Sequence, residues 1–161
     1  MKEVIFLNIR RAASADLDGI NRLLMQVLEV HHKGRPDLFK SKVKKYNDDE
    51  LLNIITDDSR PIFVVTDDGR ISGYAFCVFQ QHINNNILTD IKTLYIDDLC
   101  VDEQLRGQHI GQSLYEYVLD FARKEGCYNV TLNVWACNQG ALKFYQKMGL
   151  NPQKIGMEKI L

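Results

Sequence analysis

The segment Leu99 to Gln112, LCVDEQLRGQHIGQ, holds the residues of this 161-residue chain best suited to gripping an anion. An apolar run ends there, a polar turn follows, and a loop bearing Gly107 and Gly111 opens into an amphipathic stretch. At such a point the first N–H groups of a helix are unpaired and the positive end of its dipole faces the same way. Glycines let the backbone approach a phosphate closely, and Arg106 adds a fixed charge whose geometry suits phosphate. The spacing is neither G-x-x-x-x-G-K-[ST] nor G-x-G-x-x-G. Two glycines alone are equally compatible with a tight strand-to-helix turn. Just upstream, Asp97 and Asp98 interrupt an otherwise apolar run. Strand alternation puts them on opposite faces, with Asp97 sharing the face of Leu99 and Val101 unless a bulge intervenes.

The surrounding elements follow from pattern. Val4 to Ile9 is a short β-rich run. Ser14 offers an N-cap oxygen to a helix whose apolar stripe is Leu17, Ile20, Leu24, Val27, Leu28 and His31, and Pro36 ends it. A second helix starts at Asn47, with Glu50 as capping-box partner. Pro61 opens a strand, Ile62 to Thr66, and Asp67-Asp68-Gly69-Arg70 is a hairpin turn into a long strand from Ile71 to about His82. A polar loop leads to a strand from about Lys92 to Val101, apolar on both faces as a central strand should be. A third helix starts near Ile110 and stops at Gly126; Asn129 to Trp135 alternates as a strand. Asn138 caps a fourth helix that Gly149 stops, and Lys154 to Leu161 reads as a closing strand. The order β-α-α-β-β-β-α-β-α-β, without repeats or linkers, predicts one α/β domain with a mixed sheet.

Two pieces of this chain together resemble the GCN5-related N-acetyltransferase (GNAT) superfamily. One is the strand Tyr95 to Val101, the loop Arg106 to Gly111 and the helix that follows. The other is Asn138-Gln139-Gly140-Ala141-Leu142-Lys143-Phe144-Tyr145-Gln146-Lys147-Met148-Gly149-Leu150, similar to N-x-x-A-x-x-F-Y-x-K-x-G-F. The resemblance implies a single domain over residues 1–161, a mostly antiparallel sheet of six to seven strands, and four flanking helices. It implies acetyl-coenzyme A as donor and no metal. Leu99, Cys100 and Val101 would meet the pantetheine arm, and Arg106, Gly107, Gln108, His109, Ile110, Gly111 and Gln112 the pyrophosphate. Asn138 would cap its helix and touch the arm. The chemistry implied is attack of an amine on a thioester, and a lysine-like amine, pKa near ~10.4, must first lose a proton. Asp97 matches the family's acidic base and Tyr145 its general acid. His109 departs from the usual middle glycine, where a side chain narrows the approach and takes φ > 0 less cheaply.

Composition bounds the alternatives. The 20 basic and 21 acidic residues nearly cancel, which argues against a chain that coats nucleic acid. The longest apolar run, Tyr74 to Phe79, is far below the ~20 residues of a membrane helix, and Val4 to Leu7 is too short for a signal-peptide core. Cys77, Cys100, Cys127 and Cys137 contain no C-x-x-C pair and read as buried, reduced thiols of a cytoplasmic protein. Charge is segregated: residues 31–46 carry +5, while residues 93–103 carry −4 through Asp97, Asp98, Asp102 and Glu103. The first region would favour an acceptor with an acidic part, the second a cationic amine. The acceptor expected is the primary amine of a small molecule, with a protein N-terminus or lysine, and a coenzyme A sensor without turnover, as the alternatives. The resemblance also implies a homodimer paired through the last strands.

Overall fold

The computed structural model describes residues 7–161; Val4 to Phe6 of the predicted first strand lie outside them. Five strands form one sheet in sequence order: β1 (Asn8–Arg11), β2 (Ile62–Asp67), β3 (Arg70–Gln81), β4 (Lys92–Val101) and β5 (Asn129–Leu132). Neighbours are antiparallel except β4 and β5, which run parallel. Four helices flank the sheet: α1 (Leu17–Gly34), α2 (Asp48–Ile55), α3 (Ile110–Lys124) and α4 (Gln139–Lys147). The period-2 pattern of β2 explains the layering. Ile62 and Val64 face a core shared with Ile20, Leu23 and Leu24 of α1 and Leu51 of α2, while Phe63 and Val65 face a core shared with Leu114 and Val118 of α3.

Local chemistry sets the boundaries. Asn47 and Glu50 form the expected reciprocal capping box, each side chain accepting from the other's backbone N–H at 2.8 Å. Asp68 and Gly69 take φ of 45° and 79°, the pair of positive angles a two-residue hairpin turn needs. Ser14 does not cap α1; it begins a short 3-10 turn, Ser14–Asp16, whose Asp16 binds Arg10 at 2.7 and 2.9 Å.

Four expectations need correction. Among the described residues the sheet has five strands, not six to seven. Residues 154–161 alternate like a strand yet pair with nothing among the described residues, and every one is exposed, including Ile155, Met157, Ile160 and Leu161. Among the described residues, Arg35 ties that arm down, donating to Glu158 at 2.9 Å. β5 stops at Leu132 rather than continuing to Trp135. Of the cysteines, Cys77 and Cys100 are buried, but Cys127 is half-buried and Cys137 exposed; all four are free.

Candidate active site

β4 and β5 part company halfway. Their pairing runs from Thr93 opposite Asn129 to Ile96 opposite Leu132 and goes no further. The rest of β4, Asp97 to Val101, keeps β3 on one edge and, among the described residues, has no strand on the other. The Asp102 N–H donates to the Ser72 carbonyl at 2.9 Å, so residues 102 and 100 turn their backbone groups toward β3. Alternation then turns those of Leu99 and Val101 onto the open edge. The gap spans roughly 16 Å at ~3.3 Å per residue.

Beyond Val101 the chain makes the short turn Glu103–Leu105 and enters the glycine loop. Gly107 has φ 83° and exposed His109 has φ 61°, so His109 does adopt the left-handed conformation in place of glycine. The first backbone bond at this helix end is donated by Ser113 to the His109 carbonyl at 3.0 Å. Among the described residues, the N–H groups of Gly107, Gln108, His109, Ile110, Gly111 and Gln112 have no hydrogen-bond acceptor. They form a cradle of orphan donors at the positive end of α3, with Arg106 exposed beside it. Buried Asp102 braces the approach, accepting from Arg22 at 2.6 Å, Arg70 at 3.1 Å and the Gln104 N–H at 3.2 Å. Burial opposes the charge on Asp102, but Arg22, the Gln104 N–H and Gln26 together outweigh it and hold its carboxyl below the usual range.

Where the edge opens, β4 carries a bulge. Cys77 pairs with Ile96 and Phe76 with Asp98, leaving Asp97 as the extra residue. Ile96 and Leu99 both face α3, and the two aspartates between them both face the α1–α2 connection. The alternation reading, which separated them, is therefore wrong, and the extra residue is the reason. Lys45 meets both carboxylates, with Nζ 3.2 Å from Asp97 and 3.9 Å from Asp98. The two differ in setting: the Asp97 side chain is 36 % exposed and that of Asp98 only 10 %. Tyr74, fully buried, donates its hydroxyl to Asp98 at 2.9 Å. Burial pushes the Asp98 carboxyl up to about 6, against the pull of Lys45 and Tyr74 and with help from Asp97. A carboxylate tuned there can accept a proton near neutral pH.

Tyr145 lies half-buried on α4, its ring 6.5 Å from that of Tyr115. Burial, then the nearby charge of Asp98, raises its phenol, so it stays a proton donor. Asn138 caps α4, accepting from the Ala141 N–H at 3.2 Å. Burial also pushes the thiols of Cys77 and Cys100 up to about 12, which leaves them protonated and poor nucleophiles. On the α2 side of Asp97 lies a cavity of about 200 Å³ lined by Tyr46, Ile54, Arg60, Phe76, Cys77, Val78 and Asp97. Arg60 Nε binds Asp57 at 2.8 Å, and its terminal nitrogens have no partner among the described residues.

Leu99, Val101 and the loop 106–112 thus lie along one open edge, with Asp97 and Asp98 at its closed end, and Tyr145 is near enough to feel the charge of Asp98. Cys100 does not join them: its backbone turns to β3 and its Sγ packs against the Leu23 carbonyl at 3.8 Å. Asp102 adds no free charge, since Arg22 and Arg70 neutralise it. The basic and acidic regions do meet, but at one point, Lys45. Sequence reasoning passed over Lys45, Tyr74 and Arg60. Tyr74 carried a usable signal: on an antiparallel neighbour, a buried tyrosine needs a hydroxyl partner. Lys45 was hidden among like-charged neighbours.

Comparison with known proteins gives a consistent result. Residues 19–150 match the Acetyltransferase (GNAT) family. The crystal structure of a mutant of the BH1408 protein from Bacillus halodurans superposes with a TM-score of 0.92 at 31 % identity, covering 96 % of this chain and 99 % of that one. Glucosamine 6-phosphate N-acetyltransferase of Trypanosoma brucei brucei is 26 % identical across 98 % of this chain and 97 % of its own. The Arabidopsis thaliana protein of the same name is 25 % identical across 73 % of this chain and 70 % of its own.

Proposed function

The chain belongs to the GNAT acetyltransferase family, and from that premise we propose that it moves an acetyl group from acetyl-coenzyme A to the primary amine of a small molecule, by direct attack in a ternary complex. As a member of that family it is an acyltransferase, and the family uses acetyl-coenzyme A. The observation that carries the reading is the open half of β4 ending at a buried carboxylate. Leu99 and Val101 offer backbone groups to the amide-bearing arm of the donor, and the amides of residues 107–112 receive its pyrophosphate. The arm supplies the activated acetyl group; this chain's residues do the rest. Asp98 takes the proton from the acceptor ammonium, with Asp97 holding the cation in place. The Leu99 N–H lies on the edge where charge develops on the carbonyl oxygen. Tyr145 returns a proton to the departing thiolate. The protonated state of Cys77 and Cys100 supports direct transfer over an acetyl-cysteine route.

The acceptor is a small amine with an anionic group. Its ammonium would sit at Asp97 and Asp98, and its anion would reach the unpaired nitrogens of Arg60 across the small cavity. An amino-sugar phosphate, the substrate in the names of two relatives, has this form. The four free thiols support a reducing cytoplasm, and the exposed apolar arm at 154–161 supports pairing of two copies. Thiol release measured across glucosamine 6-phosphate, glucosamine, polyamines, aminoglycosides and peptides tests the reading. Turnover is expected to be highest with the phosphorylated amine and to fall in Arg60→Ala. Turnover confined to peptides would overturn it.

A further inference from the structure

Lys45 is placed as an amine substrate would be. Residues 35–47 return the chain from α1 to α2, and they are pinned at several points. The Phe39 carbonyl lies 2.6 Å from His32 Nδ1, the Lys42 N–H donates to Glu29 at 2.9 Å, and Asn47 begins α2. Lys44 turns outward to Asp48 at 3.1 Å. Lys45 turns inward to both aspartates, and its Nζ sits 5.3 Å from the centre of the Tyr46 ring that lines the cavity.

The position of the thioester follows from the split between β4 and β5. A donor whose pyrophosphate rests on residues 107–112 must run its arm along β4 from Val101 toward Asp97. It can go no further than Ile96, where β5 closes the edge. The acetyl end therefore arrives beside Asp97 and Asp98, where Lys45 already waits. Resting on the reading of function above, we infer that Lys45 is an internal acceptor: when no free amine fills the cleft, the chain acetylates its own Lys45. Asp98 takes a proton from the ammonium, Nζ forms a bond to the acetyl carbon, and the carbon–sulfur bond breaks. Tyr145 protonates the thiolate and is restored by the second proton that nitrogen sheds as the amide forms, while Asp98 releases its proton to solvent, so the products are Nε-acetyl-Lys45, coenzyme A and one proton. The amide carries no charge, so the ion pairs with both aspartates are lost.

The test incubates the full chain with isotopically labelled acetyl-coenzyme A and no acceptor, then maps the label by peptide mass. A single acetyl group on Lys45 is expected, at a rate independent of protein concentration and at least about tenfold above that of Lys44. Tyr145→Phe should slow it in step with turnover of a free amine, and adding that amine should protect Lys45. A second readout needs no donor. Trace labelling with an amine-specific reagent should find Lys45 severalfold slower than Lys44, and the amine acceptor should erase the difference by displacing it. Equal labelling of Lys42, Lys44 and Lys45, or an unlabelled Lys45 in a chain that turns over free amines, overturns the inference alone. A chain that labels neither Lys45 nor any free amine overturns the proposed function with it.

Discussion

Tyr74→Phe isolates the proposed proton acceptor, Asp98, without touching its carboxylate. The Tyr74 hydroxyl donates to Asp98 at 2.9 Å from a fully buried position, and this bond stabilises the anion. A hydrogen bond to a charged group is worth about 1.5–3 kcal/mol, and one pKa unit about 1.4 kcal/mol. Taking the lower end, loss of the hydroxyl raises the Asp98 carboxyl by roughly one unit, from about 6 toward ~7. The sign is fixed, because removing a donor to the anion always favours the neutral acid. In kcat/KM for thiol release, followed from about pH 5 to 9, the acidic limb should move up by that unit. At pH 6 the deprotonated fraction then drops about fivefold, while above pH 8 the two enzymes converge. With one acceptor used throughout, its own titration cancels. A limb that stays in place in Tyr74→Phe refutes the argument. So does a limb that survives Asp98→Asn but disappears in Asp97→Asn, which would hand the role to the more exposed carboxylate.

Asp98→Asn should also raise stability. The folded carboxyl near 6 lies above the unfolded value of 3.8, so the native state loses stability as pH rises through that interval. The variant should gain up to about 3 kcal/mol above pH 6 and nothing near pH 4, read by urea unfolding. Tyr145→Phe should lower kcat about 100-fold with little change in the affinity for acetyl-coenzyme A, read by single-turnover kinetics and calorimetry. His109→Gly relieves a left-handed residue at φ 61°, and should tighten acetyl-coenzyme A binding and stabilise the fold by up to about 1 kcal/mol. Asp102→Ala strands Arg22 and Arg70 and uncaps the Gln104 N–H, so about 2–3 kcal/mol should be lost, with weaker donor binding measured by calorimetry.

How much of this was written in the sequence depends on how local the cause is. Asn47 with Glu50, Asp68 with Gly69, and Asn138 at α4 act over three or four residues, and each was legible. The loop at residues 106–112 was legible for the same reason, down to the departure at His109. Long-range pairing was not. Lys154 to Leu161 has a strand's alternation but no partner, and alternation states a preference for a face, not the presence of a neighbour. The register shift opposite Phe76 and Cys77 exists only between two strands, so no pattern within β4 could reveal it. Lys45 reaches its aspartates across 52 residues of chain, and only the folded connection brings them together.

A bulge is an edit of length, not of identity. In a regular strand, losing one codon from the middle flips every later side chain to the wrong face, and the protein is lost. β4 inverts that rule at one place. Between Ile96 and Leu99 a regular strand has a single slot on the α1–α2 side, and the bulge fits two carboxylates into it. Dropping Asp97 would restore plain alternation, keep Leu99 and Val101 facing α3, and remove a like-charged neighbour from Asp98. A library of single-codon deletions across the gene should therefore show an isolated tolerant position in the central strand for folding, coinciding with a loss of activity.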